Sequence, residues 1–184
     1  MGRHVRELRG DNQSDRSVTL VLGGVRSGKS RYALALAERL AGPRVFVATA
    51  TVTDEEMEAK IARHRLERSD AWTTVEEPVE LGRVVREFGA ESGAILIDCL
   101  TIFAAHAMGG REAEIDALVD ALGKAACHVV MVSNEVGSGV VPAYESGRKY
   151  RDLLGEINQR MVCVADDVVL MVAGLPLVLK GRAA

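Results

Sequence analysis

The sequence predicts an α/β fold, doubly wound, in which a mainly parallel sheet carries helices on both faces. Short continuous runs of apolar, largely β-branched residues recur at 19–22, 45–48, 93–98, 129–133 and 168–172. Runs of this kind have no polar face, so strands built from them must be covered on both sides, the condition met by a parallel sheet. Between them lie segments with helical patterning, at 30–40, 53–68, 112–126 and 148–165. Strands and helices in alternation are what right-handed crossover connections require. The 53–68 segment carries its own start signal, Thr53-x-x-Glu56, a capping box placed ahead of the Met57 and Ile61 stripe.

With 184 residues, 48% hydrophobic and 27% charged, the chain is long enough to bury one substantial core, and a single domain over 18–184 is expected. Residues 1–17, rich in Arg, Asp, Gly and Ser, lack an apolar period and read as a mobile N-terminal extension. A net charge of -3 gives no global attraction to nucleic acid or to an anionic membrane. No stretch approaches the roughly 20 apolar residues of a membrane span, and the first residues are charged where a signal peptide would be apolar. A cytoplasmic protein is expected. The three cysteines, Cys99, Cys127 and Cys163, are scattered among apolar neighbours. They read as buried reduced thiols rather than as a disulfide framework or a zinc site.

The first apolar run leads directly into Gly23-Gly24-Val25-Arg26-Ser27-Gly28-Lys29-Ser30, and a helical pattern follows at once. This is G-x-x-x-x-G-K-[ST] in its required strand, loop and helix context. Its glycines let the backbone curl so that N–H groups and a helix N-terminus meet phosphate oxygens. Lys29 is expected to reach the β- and γ-phosphates, and Ser30 to hold Mg2+. Asp98, at the end of the 93–98 run, is the second carboxylate that such a metal needs. On its own Asp98 reads equally as a helix cap; beside the loop it becomes a Walker B candidate. The fold class narrows accordingly to a P-loop NTPase of RecA-like type.

The 53–68 segment places Lys60, His64 and Arg68 at four-residue intervals on one face, with Arg65 adjoining. Two readings stand together. His64 also follows Ile61 and Met57 at helical spacing, as a half-buried histidine at the rim of the core would. Alternatively, the surrounding cations disfavour imidazolium, leaving a neutral nucleophilic ring that faces the α-phosphorus of a bound triphosphate.

Several segments together resemble the bifunctional adenosylcobinamide kinase/adenosylcobinamide-phosphate guanylyltransferases of cobalamin biosynthesis. The loop Gly23 to Ser30 with Arg31, the segment Val47-Ala48-Thr49-Ala50, and the run Lys60-Ile61-Ala62-Arg63-His64-Arg65-Leu66-Glu67-Arg68 followed by Trp72-Thr73-Thr74-Val75-Glu76 carry the likeness. So do Asn134-Glu135-Val136-Gly137-Ser138-Gly139-Val140-Val141-Pro142 and Arg151-Asp152-Leu153-Leu154-Gly155-Glu156-Ile157-Asn158-Gln159. Val25 stands where the family usually has Ala, and Ser69 where it usually has Pro; neither removes a chemical group.

The resemblance implies that His64 becomes guanylylated, and that the phosphate loop, Ala48, Thr49, Ala50, Arg65, Leu66, Glu67, Arg68, Glu76 and Asp98 contribute to the nucleotide site. Glu76 would accept from the guanine N1–H and N2–H2, although by itself it reads as an exposed strand-end carboxylate. The 134–142 loop follows a strand, where open α/β sheets bind ligands. Its Gly137 and Gly139 allow close backbone approach or merely a tight turn. Tyr144, Arg148 and Arg151 lie just beyond and face either substrate or a neighbouring subunit.

The implied chemistry has two steps. Lys29, Ser30 and Asp98 support phosphorylation of adenosylcobinamide from ATP or GTP, and His64 then carries GMP from GTP to adenosylcobinamide-phosphate. The resemblance also implies a homo-oligomer, a trimer. Two alternatives are a simple P-loop kinase or hydrolase with a structural His64, and a non-catalytic nucleotide-dependent switch.

Overall fold

The computed structural model describes residues 16–50 and 71–181. The chain alternates β1 (Val18–Gly23), α1 (Lys29–Glu38), β2 (Arg44–Ala48), β3 (Trp72–Glu76), α2 (Leu81–Gly89), β4 (Ala94–Asp98), α3 (Leu100–Ala107), α4 (Glu112–Gly123), β5 (His128–Asn134), α5 (Glu145–Val164), β6 (Asp167–Val172) and β7 (Leu175–Lys180). One seven-stranded sheet results, in the order β3-β2-β4-β5-β1-β6-β7. Every pairing is parallel except that of β6 with β7. β5 lies between β1, which leads into the glycine-rich loop, and β4, which ends at Asp98. An inserted strand at this place is the RecA-like arrangement that the sequence predicts.

The continuous apolar runs are explained by two cores. Leu20, Leu22, Ile95, Ile97, Val129 and Met131 point to one face, where Leu81, Phe103, Leu118, Leu154, Ile157 and Met161 of α2 to α5 cover them. The residues between, Val21, Leu96, Val130 and Val132, point to the other face and meet Ala33 and Ala37 of α1. Each central strand therefore serves both cores through its period of two, and no position in it can be polar at low cost.

Two strands and two helices are absent from the sequence reading. β3 buries only Trp72, with Thr73, Thr74 and Glu76 exposed, so an edge position hides its strand character from an apolar-run criterion. β7 is the opposite edge: it holds Pro176 and exposes Leu175, Leu177 and Leu179, as an edge strand tolerates and a central one does not. Its hairpin turn places Ala173 and Gly174 at φ 51° and 84°, the two-residue geometry that matches strand twist. α2 has Leu81, Val84, Val85 and Phe88 at helical spacing, whereas α3, LTIFAAHA, is apolar nearly all round and shows no amphipathic period.

Helix ends shift by a few residues from expectation: α1 starts at Lys29 and stops at Glu38, α4 stops at Gly123, and α5 starts at Glu145. The cysteine expectation needs one correction. Cys127 is buried and Cys99 partly so, but Cys163 is exposed, because it lies between Met161 and Val164 on the outward side of α5. All three are free thiols. Arg16 and Ser17, assigned to the N-terminal extension, are tied to the domain: Arg16 donates to the Ala125 carbonyl at 2.9 Å, and the Ser17 N–H donates to His128 Nδ1 at 3.1 Å. The rest of that extension and the segment 53–68, expected to be helical, lie outside the described residues. No described helix is long and apolar enough to cross a membrane.

Candidate active site

The glycine-rich loop sits at the C-terminal edge of the sheet, where β1 gives way to α1. Its curl is set locally. Arg26 and Gly28 take positive φ, 56° and 92°, and the Ser27 N–H closes a turn onto the Gly24 carbonyl at 3.2 Å. Gly28 then serves as the left-handed N-cap of α1. At Gly23 the need for glycine is steric: a Cβ there would stand 2.4 Å from Ser27 Oγ and 2.9 Å from the Met171 carbonyl oxygen. The β6–β7 turn supports the loop from behind, with the Gly174 N–H donating to the Ser27 carbonyl at 2.9 Å.

Lys29 bends back over this curl and donates from Nζ to the Gly24 carbonyl at 3.1 Å. Burial lowers its pKa, while the neighbouring Cys99 and Asp98 oppose that shift. The ammonium therefore feels the Asp98 carboxylate, and the glycine-rich loop lies near the end of β4. Ser30, in the first turn of α1, and Asp98 offer a hydroxyl and a carboxylate. Oxygen donors of this kind suit magnesium, which completes its shell with water and phosphate oxygens.

Behind Asp98 the backbone is held by Thr49. Fully buried, it accepts from the Cys99 N–H at 2.7 Å through Oγ1 and donates to the Cys99 carbonyl at 2.9 Å. The Thr49 N–H adds a bond to the Asp98 carbonyl at 3.3 Å, and the Asp98–Cys99 peptide is cis. Burial pushes the Cys99 thiol up, with Asp98 adding to the effect. Tyr150, which donates to the Thr101 carbonyl at 3.0 Å, is pushed up to about 12 by burial, with Cys99 contributing.

The remaining expected site residues divide into three groups. Ala48 and Ala50 are half-buried beside Thr49, and Glu76 is exposed at the end of β3 in register with Ala48. Val25 is 82% exposed at the crest of the loop. His64, Arg65, Leu66, Glu67 and Arg68 lie outside the described residues. The 134–142 loop leaves β5 beside the phosphate loop, where the Glu135 N–H donates to the Gly23 carbonyl at 3.2 Å. Arg148 closes the far end of that loop, donating to the carbonyls of Pro142 and Ala143 at 3.0 and 2.8 Å. Val140, Val141 and Tyr144 remain exposed.

Residues 19–179 match the family described as cobinamide kinase / cobinamide phosphate guanyltransferase. The chain belongs to this family. It is 39% identical over 168 residues to the bifunctional adenosylcobalamin biosynthesis protein CobP of Pseudomonas aeruginosa, a match spanning 89% of this chain and 97% of that one. It is 36% identical to the CobU protein of Salmonella typhimurium (88% and 98% of the two chains) and 34% identical to that of Escherichia coli (88% and 98%). Among solved structures, the phi6 P4 protein in complex with ADP is similar at TM-score 0.47 and 19% identity, over 91% of this chain and 56% of that one. RadB recombinase is similar at TM-score 0.48 and 16% identity, over 84% and 73%.

In this cobinamide kinase family member, the sequence reading did not single out Thr101, Tyr150 or the buried Ser133, and it met the buried Asn158 only within the 151–159 run. Asn158 falls on the Leu154, Ile157 and Met161 core stripe of α5, and an amide on an apolar stripe is a visible signal. Thr101 and Tyr150 carry none, because only the packing of α3 and α5 brings them together.

Proposed function

We propose that this protein is a bifunctional enzyme of adenosylcobalamin synthesis that phosphorylates adenosylcobinamide and then guanylylates the product. The observation that carries the reading is Lys29 curled over the phosphate loop within the influence of Asp98, in a chain matching the family from residue 19 to 179. In the first reaction the substrate hydroxyl attacks the γ-phosphorus of ATP or GTP, the bond to the β-phosphate oxygen breaks, and the nucleoside diphosphate leaves. Loop N–H groups and Lys29 stabilise the charge on the transferring group and orient it for in-line attack. Ser30 and Asp98 would hold the magnesium ion, which when bound neutralises charge on the β- and γ-phosphate oxygens.

The second reaction uses His64. Its unprotonated ring attacks the α-phosphorus of GTP and displaces pyrophosphate, forming a phosphoramidate. A phosphate oxygen of adenosylcobinamide-phosphate then attacks the same phosphorus, the P–N bond breaks, and adenosylcobinamide-GDP leaves. Arg65 and Arg68 offset the charge that develops, while Glu76 selects guanine. The corrinoid exceeds a typical pocket of about 300–1,000 Å3, so it lies across a surface cleft. A neighbouring subunit of a cytoplasmic trimer forms one wall.

Intact-protein mass spectrometry after exposure to GTP and magnesium tests this directly. The wild-type chain gains one GMP, acid-labile, and His64→Ala gains none while still phosphorylating adenosylcobinamide. A wild-type chain that takes up no nucleotide covalently refutes the transferase step.

A further inference from the structure

β4 ends at Asp98, in register with Val132, while β5 runs on through Ser133 and Asn134. Along a parallel strand the N–H and C=O of one residue face the same neighbour, and successive residues face opposite neighbours. Glu135 faces β1, since its N–H donates to the Gly23 carbonyl at 3.2 Å. Asn134 consequently faces the other way, towards a strand that has already turned off into α3. Its main-chain groups would be left without partners at a partly buried position, which is costly.

Two side chains replace the missing strand. The Asn134 N–H donates to Thr101 Oγ1 at 3.1 Å, and the Asn134 carbonyl accepts from Asn158 Nδ2 at 3.0 Å. Both are themselves held. Tyr150 donates to the Thr101 carbonyl at 3.0 Å, and Ser133 donates to Asn158 Oδ1 at 2.6 Å. Asn158 is 7% exposed and Ser133 fully buried. Placing an amide on the core stripe of α5 is unfavourable unless its bonds are met, and here they are spent on β5.

We propose that Thr101 and Asn158 form a clamp that holds β5 in strand geometry out to Asn134, two residues beyond the end of β4, and so positions the phosphate loop. The link is short: the clamp fixes Asn134, the next residue's N–H binds the Gly23 carbonyl, and Gly23 is the first residue of the loop. Neither clamp residue needs to touch nucleotide. Both are positioning residues, and the proposal rests on reading Gly23 to Ser30 as the nucleotide site.

Equilibrium titration of the full chain with fluorescent methylanthraniloyl-GTP and magnesium, beside thermal unfolding of each variant, tests the clamp. Thr101→Val removes the acceptor for the Asn134 N–H without changing side-chain shape, and Asn158→Ala removes the donor to its carbonyl. Each is expected to weaken nucleotide binding about tenfold, the effect of freeing one hydrogen-bonded rung, at temperatures well below its unfolding midpoint. Ser133→Ala lowers the midpoint but leaves the Asn158 to Asn134 bond, so its affinity stays within about twofold of wild type. Should Asn158→Ala not fold, Thr101→Val decides alone. A folded Thr101→Val that binds like wild type, or Ser133→Ala weakened as much as the clamp variants, overturns the proposal. A wild-type chain that binds no nucleotide overturns the underlying site instead.

Discussion

Replacing Thr49 by Val separates the hydroxyl's work from that of the side chain's shape. Thr49 is fully buried, and its Oγ1 is shared between the Cys99 N–H at 2.7 Å and the Cys99 carbonyl at 2.9 Å. Valine fills nearly the same space and bonds to neither. The two losses are unequal, because the Cys99 carbonyl keeps the Phe103 N–H at 3.3 Å whereas the Cys99 N–H loses its Thr49 acceptor. An unmet buried donor costs about 1–3 kcal/mol and a replaced carbonyl contact about 0.5–1 kcal/mol, so the substitution should cost about 2–3 kcal/mol. Against a typical stability of about 5–15 kcal/mol that is easily measured. Thr49→Ser keeps the hydroxyl and loses one buried methyl group, about 1 kcal/mol. Urea unfolding followed by circular dichroism should rank wild type above Thr49→Ser above Thr49→Val at an unchanged m-value. Kinase activity of Thr49→Val should fall further than its stability explains, because Asp98 precedes the released peptide. If Thr49→Val proves as stable as Thr49→Ser, the hydroxyl does not hold this corner and the reasoning fails.

Two further outcomes follow from the same geometry. Gly23→Ala should abolish nucleotide binding while leaving a folded sheet, since its Cβ would stand 2.4 Å from Ser27 Oγ and 2.9 Å from the Met171 backbone oxygen; titration with labelled GTP checks this, and near-normal affinity would show that the loop can shift. Burial pushes the Glu77 carboxyl up, but the N–H groups of Glu80 and Val79 together with Arg83 outweigh it and hold the pKa below its ordinary value. A depressed carboxyl contributes stability that is present above the unfolded-state pKa and lost as pH falls through the folded one. Acid unfolding of wild type should therefore steepen below the ordinary carboxylate range, and Glu77→Gln should flatten that limb.

The glycine-rich turn and the family were legible because their signals are local. Gly23, Gly28, Lys29 and Ser30 act within one turn of backbone, so their spacing in the chain is their geometry. The central strands were equally legible, since Leu20, Ile95 and Val130 are buried whichever neighbour covers them. Trp72 to Glu76 was missing from the apolar-run strands because an edge strand needs only one apolar face, and Leu100 to Ala107 from the helices because a helix buried nearly all round has no period to read.

What the sequence by itself determined is therefore the family, the glycine-rich turn and the alternation of elements, consequences of local motif spacing, short-range backbone geometry and the period of two or 3.6 residues. Which strand lies beside which, that Thr49 is spent on Cys99, and that Thr101 and Asn158 meet at Asn134 were decided only by the tertiary structure. Those partners are 24 to 50 residues apart, and a hydrogen bond across such a distance leaves no mark in the spacing of residues. It exists because the order of strands in the sheet brings the groups together.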